Sequence, residues 1–229
     1  MTFHIYKLLL IILSRFIHIM NYQKKNGRKI PSKFENPIDD IIIDFCDTLV
    51  YTCYDNNITP NIITVIRIII SFFVLYNLFF TCNTLIPIFG SAVFYIMDCL
   101  DGHIARSTNQ VTVVGDYLDH FADTFYYMLF LLFIIIKKYD NKIYVITSFL
   151  LLTYISMVHL NLQQKKYNNI QIKSKIDKTE DELLDKLNFF LVNLDVDNIK
   201  WTKYFGTGTL NLSILFIIYY IQLNCIQLK

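Results

Sequence analysis

Apolar residues in this chain gather into runs long enough to cross a bilayer, and the breaks between them are short and polar. A membrane span needs about 20 mostly apolar residues. Four runs answer to that length: Ile62 to Phe80, Leu85 to Ile104, Tyr126 to Ile136 with a polar lead-in from Val111, and Ile143 to Leu162. A fifth extends from Gly206 to Leu223. The opening stretch FHIYKLLLIILSRFIHIM has a shorter apolar core, broken by Ser14 and Arg15, and no small-residue cleavage site follows it. It reads as an interfacial helix, with a sixth span as the alternative. In NPIDDIIIDFCDTLVYTCY, four aspartates (Asp39, Asp40, Asp44, Asp47) mix with Ile41, Ile42, Ile43, Phe45 and Leu49, the pattern of a helix lying along a membrane surface. Lys175 to Leu194 reads as a second amphipathic helix with a strongly acidic face.

The expected fold is therefore an all-α integral membrane protein. Its bundle of about five to six transmembrane helices is preceded by an interfacial amphipathic helix. Residues 1–36 form a membrane-associated, basic N-terminal segment and residues 37–162 the core. Residues 163–204 form a polar segment, and 205–229 a C-terminal span. Charged residues make up 17% of the 229, against about 25% in soluble domains. A net charge of +2 is too small to suggest a nucleic-acid partner. The five cysteines are scattered and form no CxxC pair, so neither a disulfide framework nor a zinc site is expected. Lys24, Lys25, Arg28, Lys29 and Lys33 cluster before the core, which favours the cytoplasmic side for that end. Lys137, Lys138 and Lys142 fall on the opposite side and weaken the assignment.

One stretch resists the apolar pattern. MDCLDGHIARSTNQVTVVGDYLDHFADT, residues 97–124, holds five aspartates, one arginine and two histidines between apolar runs. Asp98, Asp101 and Ala105 share one helical stripe, and Gly115, Asp119 and Asp123 share another. A short turn through STNQ would fold the two helices back on each other, so that the four aspartates Asp98, Asp101, Asp119 and Asp123 converge. At membrane depth a carboxylate costs roughly 2.5–3.5 kcal/mol, so four cost on the order of 10 kcal/mol unaided. Hard carboxylate oxygens suit Mg²⁺, Mn²⁺ or Ca²⁺, and two such ions at an open face make a phosphate-handling site. Glycines there would let a nucleotide come close.

The full pattern is Asp98-x-x-Asp101-Gly102-x-x-Ala105-Arg106, eight residues, then Gly115-x-x-x-Asp119-x-x-x-Asp123. It resembles the signature of the CDP-alcohol phosphotransferase family of membrane enzymes at every fixed position. TPNIITVIR, Thr59 to Arg67, resembles the segment that opens that family's first core span. The resemblance implies transfer of a phosphorylated alcohol group from a CDP-alcohol to an acceptor hydroxyl with release of CMP, in phospholipid synthesis. It implies that Asp98, Asp101, Asp119 and Asp123 hold two ions, Mg²⁺ or Mn²⁺, with Asp123 also the general base. Gly102, Ala105 and Gly115 would admit the nucleotide, Arg106 would bind phosphate, and Asn61 would line the nucleotide pocket. Family members typically have six core spans, where five are clear here. The partners implied are a CDP-alcohol, a lipid or polar alcohol, and membrane lipids. A homodimer is a further expectation. The active site would lie near the cytoplasmic face, in the endoplasmic reticulum membrane if the source is eukaryotic.

The substrate has two readings. GDYLDHFADT resembles choline and ethanolamine phosphotransferases, with Asp116 and His120 as an acid–histidine pair assisting deprotonation. DGHIARSTNQVT resembles phosphatidylinositol synthases at His103, Asn109, Gln110 and Thr112, but Thr124 stands where those enzymes carry arginine. The first reading is preferred, although those enzymes usually have more spans. A rival of another class is a divalent-cation transporter, which explains the carboxylates but not Gly102, Ala105, Arg106 and Gly115 at fixed spacing.

Overall fold

A computed structural model describes residues 27–174 and 194–227. The opening stretch, and all but the last residue of Lys175–Leu194, lie outside the described residues. The helices are α1 (Pro37–Asp55), α2 (Pro60–Phe80), α3 (Leu85–Ser107), α4 (Val113–Ile136), α5 (Lys142–Ser174), the single turn α6 (Ile199–Thr202) and α7 (Thr207–Gln227), with no strand among the described residues. Five helical stretches are long and apolar enough to cross a membrane: α2 to α5 and the run Val196–Cys225, whose main body is α7. The all-α expectation with five spans is what the chain adopts. α5 continues past its apolar run to Ser174.

Local chemistry sets the helix boundaries. Asn36 caps α1, its Oδ1 accepting from the Ile38 amide at 3.0 Å, with Pro37 in the first turn. Thr59 and Pro60 open α2 in the same way. α3 stops in a left-handed residue, Asn109 (φ 60°), where the Gln110 amide returns to the Ala105 carbonyl at 2.8 Å. Thr112 then caps α4, its Oγ1 accepting from the Gly115 amide at 3.1 Å. Stop, turn and restart take residues 108–112, and α3 and α4 both pack against α2. That places the two acidic stripes at one end of the bundle.

α1 has two apolar stripes. Ile43, Cys46, Val50 and Cys53 are buried, packing with Ile63, Leu100 and Ile104 of α2 and α3. Ile41 and Phe45 point outward, as an interfacial helix requires. The central core joins α2, α3, α4 and α7 through Val74, Leu78, Phe94, Tyr126, Phe130 and Ile218. Phe94 and Tyr126 stack with centroids 4.3 Å apart, and the Tyr126 hydroxyl donates to Ser91 at 2.7 Å.

At the far end of the bundle, Lys137 donates to the Phe79 carbonyl at 3.1 Å and Lys142 to the Ile135 carbonyl at 2.5 Å. Two of the three lysines that weakened the sequence-based orientation are thus engaged in satisfying helix C-terminal carbonyls. A disulfide joins Cys82 and Cys225 at the same end, with Cα atoms 5.7 Å apart. It is a single bridge, which the expectation of no disulfide framework did not anticipate. The two cysteines are 143 residues apart and follow no spacing rule. They meet because α2 and α7 both run from the acidic end to the far end.

A buried polar network locks α1 to α5 and α7. Gln163 Nε2 donates to Glu35 Oε2 at 2.9 Å and lies 3.1 Å from His159 Nε2, while His159 Nδ1 meets the Thr202 hydroxyl at 3.0 Å. Asp39 accepts from the Tyr95 hydroxyl and from Thr207 at 2.9 Å. Burial pushes Glu35 up to about 7, with Asp39 adding to the shift and Arg106 and Arg28 opposing it. A carboxyl whose pKa rises on folding binds more protons folded than unfolded, so stability falls as pH climbs from about 4.5 to about 7. The loss is on the order of 3 kcal/mol and is complete above pH 7. Glu35→Gln is therefore expected to flatten the thermal midpoint between pH 5 and 8, to which thermal unfolding of the detergent-solubilised protein is sensitive. The replacement amide oxygen still accepts from Gln163. An unchanged slope would remove Glu35 as its source.

Candidate active site

α3 and α4 present their acidic stripes to one another, and α2 supplies what lies between. Oxygens of Asp98, Asp119 and Asp123 all lie within 4.8 Å of one another. Into this cluster reaches Arg67 of α2, which is fully buried. Its Nη1 pairs with Asp98 and lies 3.3 Å from Asp123, and its Nη2 donates to Asp119 Oδ1 at 2.6 Å and to the Asp119 carbonyl at 3.2 Å. The guanidinium rests on the Phe94 ring, 5.0 Å from its centroid. The stacked Phe94–Tyr126 pair is thus the apolar floor of the site.

Asp101 stands apart from this trio. It is buried, and its Oδ2 accepts from the Thr64 hydroxyl at 2.7 Å. It lines a cleft of about 150 Å³ that opens beside the cluster. The cleft wall also includes Asn61, Gly102, Ala105, Arg106, Gly115 and Asp119. Asp116 and His120 stand on the same wall, with His120 Nε2 3.5 Å from Asp116 Oδ1 across one helical turn. Gly115 is closely packed. A Cβ there would lie 2.7 Å from Asn61 Oδ1 and 2.9 Å from the Thr112 hydroxyl that caps α4. Every residue assigned to the site from the sequence lies in the cluster or on the cleft wall.

The residues shared with phosphatidylinositol synthases divide differently. His103 is buried against α1, its Nε2 3.0 Å from Asp47 Oδ1, away from the cleft. Asn109 serves the helix stop and Thr112 the cap, although Thr112 and Gln110 also face the cleft.

A family model for CDP-alcohol phosphatidyltransferases matches residues 57–221. The chain belongs to this family. No curated protein matches it. Family membership makes the chain a membrane CDP-alcohol phosphatidyltransferase of phospholipid synthesis, and the matched region takes in the whole acidic cluster. Four residues to which sequence reasoning gave no place in the site pair within the cluster or line the cleft. They are Arg67 and Thr64 on α2, Lys29 before α1, and Gln164 on α5. An arginine inside an apolar run signals a buried partner, and Arg67 could have been found that way. Lys29 and Gln164 carry no such signal, because only the fold brings them to the cleft.

The cluster suits divalent cations. Its ligands are carboxylate oxygens alone, close enough to share an ion. Asp123 Oδ1 is buried without a hydrogen-bond donor. The four carboxylates Asp98, Asp101, Asp119 and Asp123 face the single guanidinium of Arg67, a formal balance of three negative charges in excess.

Proposed function

We propose that the chain transfers the phosphorylated alcohol of CDP-choline or CDP-ethanolamine to diacylglycerol, releasing CMP. The observation that carries this choice is the Asp116–His120 pair on the cleft wall, one turn from Asp119 and Asp123. Asp98, Asp119 and Asp123 would hold two ions, Mg²⁺ or Mn²⁺, with Asp101 as the fourth carboxylate. Such ions, when bound, neutralise the diphosphate and the departing CMP. The remaining chemistry belongs to the chain. Gly102, Ala105 and Gly115 let the nucleotide approach the helix backbones, Asn61 lines its pocket, and Arg106 binds phosphate. Asp123 takes the proton from the acceptor hydroxyl, assisted by His120, which Asp116 orients. The hydroxyl oxygen then bonds to phosphorus as the bond to CMP breaks.

The phosphatidylinositol-synthase-like alternative, with CDP-diacylglycerol and a polar alcohol, is supported by Gln110 on the cleft wall and loses support from His103, which turns away. A cation transporter is disfavoured because the family model that matches residues 57–221 is that of CDP-alcohol phosphatidyltransferases. Support for a cytoplasmic active site comes from both ends of the bundle. Arg28, Lys29 and Lys33 stand at the cleft end, and the Cys82–Cys225 disulfide at the other suits an oxidising compartment. In a eukaryote that arrangement fits the endoplasmic reticulum membrane.

The test offers purified protein CDP-choline or CDP-ethanolamine with diacylglycerol, and separately CDP-diacylglycerol with inositol, serine or glycerol phosphate. CMP release with the first set only is expected. His120→Ala should then lower kcat by roughly 10²-fold, in the range for a proton-transfer group. Product from the second set alone, with His120→Ala silent, would replace this reading by the alternative.

A further inference from the structure

The segment ahead of α1 lies outside the family match, which begins at residue 57, yet it supplies one wall residue of the cleft. Arg106 Nε donates to the Gly27 carbonyl at 2.7 Å. Gly27 presses so closely on the last turn of α3 that a Cβ would lie 2.6 Å from the His103 carbonyl oxygen. Arg28 pairs with Asp40 at 2.6 Å and Asp44 at 2.5 Å. Ile30 is buried with Leu162 and Ile199. The chain is therefore fastened before and after Lys29, and Lys29 is the member of this stretch that reaches the cleft. Its Nζ lies 5.8 Å from the centre of the Tyr167 ring on α5, which gives the aliphatic stem and ammonium a second support.

The cleft is polarised. Asp101, Asp116 and Asp119 stand on its wall together with the two basic residues Arg106 and Lys29. The Arg106 guanidinium lies over Gly102, where a Cβ would be 3.1 Å from Nη1. A nucleoside diphosphate diester carries several phosphate oxygens, and Lys29 stands on the same wall as Arg106, where it can meet one that Arg106 does not reach. We infer that Lys29 binds a phosphate oxygen of the CDP-alcohol, making the basic segment before α1 a working part of the nucleotide site. This rests on the CDP-alcohol reading above. An ammonium is a compact point charge that suits a phosphate oxygen without demanding fork geometry.

The test uses the full chain with Mg²⁺ in a maltoside detergent free of phospholipid, and compares binding of CMP with that of cytidine. Lys29→Gln is expected to weaken CMP at least about tenfold, as loss of a charged hydrogen bond does, while cytidine changes less than about twofold. Lys29→Arg should keep most of the affinity. In turnover, KM for the CDP-alcohol should rise with kcat nearly unchanged. Equal CMP affinity in wild type and Lys29→Gln would overturn the inference. So would parallel losses for CMP and cytidine, or a loss seen only in vesicles of anionic lipid. A wild-type chain that binds no CMP would instead overturn the nucleotide reading itself.

Discussion

Asp123→Asn is expected to reduce CMP release by at least about a thousandfold while leaving divalent-cation binding partly intact. General-base catalysis contributes roughly 10²–10⁴-fold, and an amide accepts no proton at neutral pH. The substitution is nearly isosteric, so the turn of α4 should survive. Asp98 and Asp119 remain within reach of one another to hold a cation. The change also removes one of the three carboxylates around Arg67, which lies 3.3 Å from Asp123 Oδ1. The replacement can turn its amide oxygen toward that guanidinium, so little folding energy is lost. Mn²⁺ binding followed by electron paramagnetic resonance, together with a CMP-release assay, separates the two effects. Near-normal turnover would take the base role from Asp123. Complete loss of metal binding with lost turnover would make it a ligand first.

Much of this site could be read before any fold was known, because its chemistry is local to two helices. Asp98 and Asp101 are one turn apart, Asp119 and Asp123 likewise, and the turn between them is short enough to enforce an antiparallel return. Helical periodicity alone then predicts that all four converge; Asp98, Asp119 and Asp123 do, while Asp101 turns to Thr64 and the cleft. The same reasoning found the five spans, since apolar length is a one-dimensional property. What the sequence concealed was contact between distant segments. Cys82 and Cys225 pair across the length of the core, and Glu35 reaches Gln163 through a fold that periodicity does not describe. Lys29 is a surface-type residue in a basic run, where composition points to the cytoplasmic side and gives no hint of a cleft. His103 shows the opposite failure. It sits inside the motif, but its position on the α3 helix turns it toward α1 and Asp47.

Arg67→Met is expected to lower the thermal midpoint in EDTA by on the order of 10 °C, and saturating Mg²⁺ or Mn²⁺ should restore more stability to the variant than it adds to the wild type. Arg67 is fully buried and holds three carboxylates at once. Methionine fills similar space over Phe94 but leaves those carboxylates without their fixed counter-charge. Removing one partner of a buried ion pair costs about 3–5 kcal/mol, which for a chain of this size is a shift of several degrees or more. A bound cation would supply the missing charge, and anything that binds the folded state alone stabilises it by mass action. The wild type should gain less, because its arginine already meets part of the demand. Arg67→Lys should fall between the two, as an ammonium keeps the charge but lacks the fork that reaches Asp98 and Asp119 together. Thermal unfolding with and without metal decides the matter. Equal midpoints in EDTA would mean that the carboxylates need no counter-charge at this depth. A metal increment no larger in the variant than in the wild type would mean that cations and Arg67 answer different charges, and that the trio of Asp98, Asp119 and Asp123 is not where the ions bind.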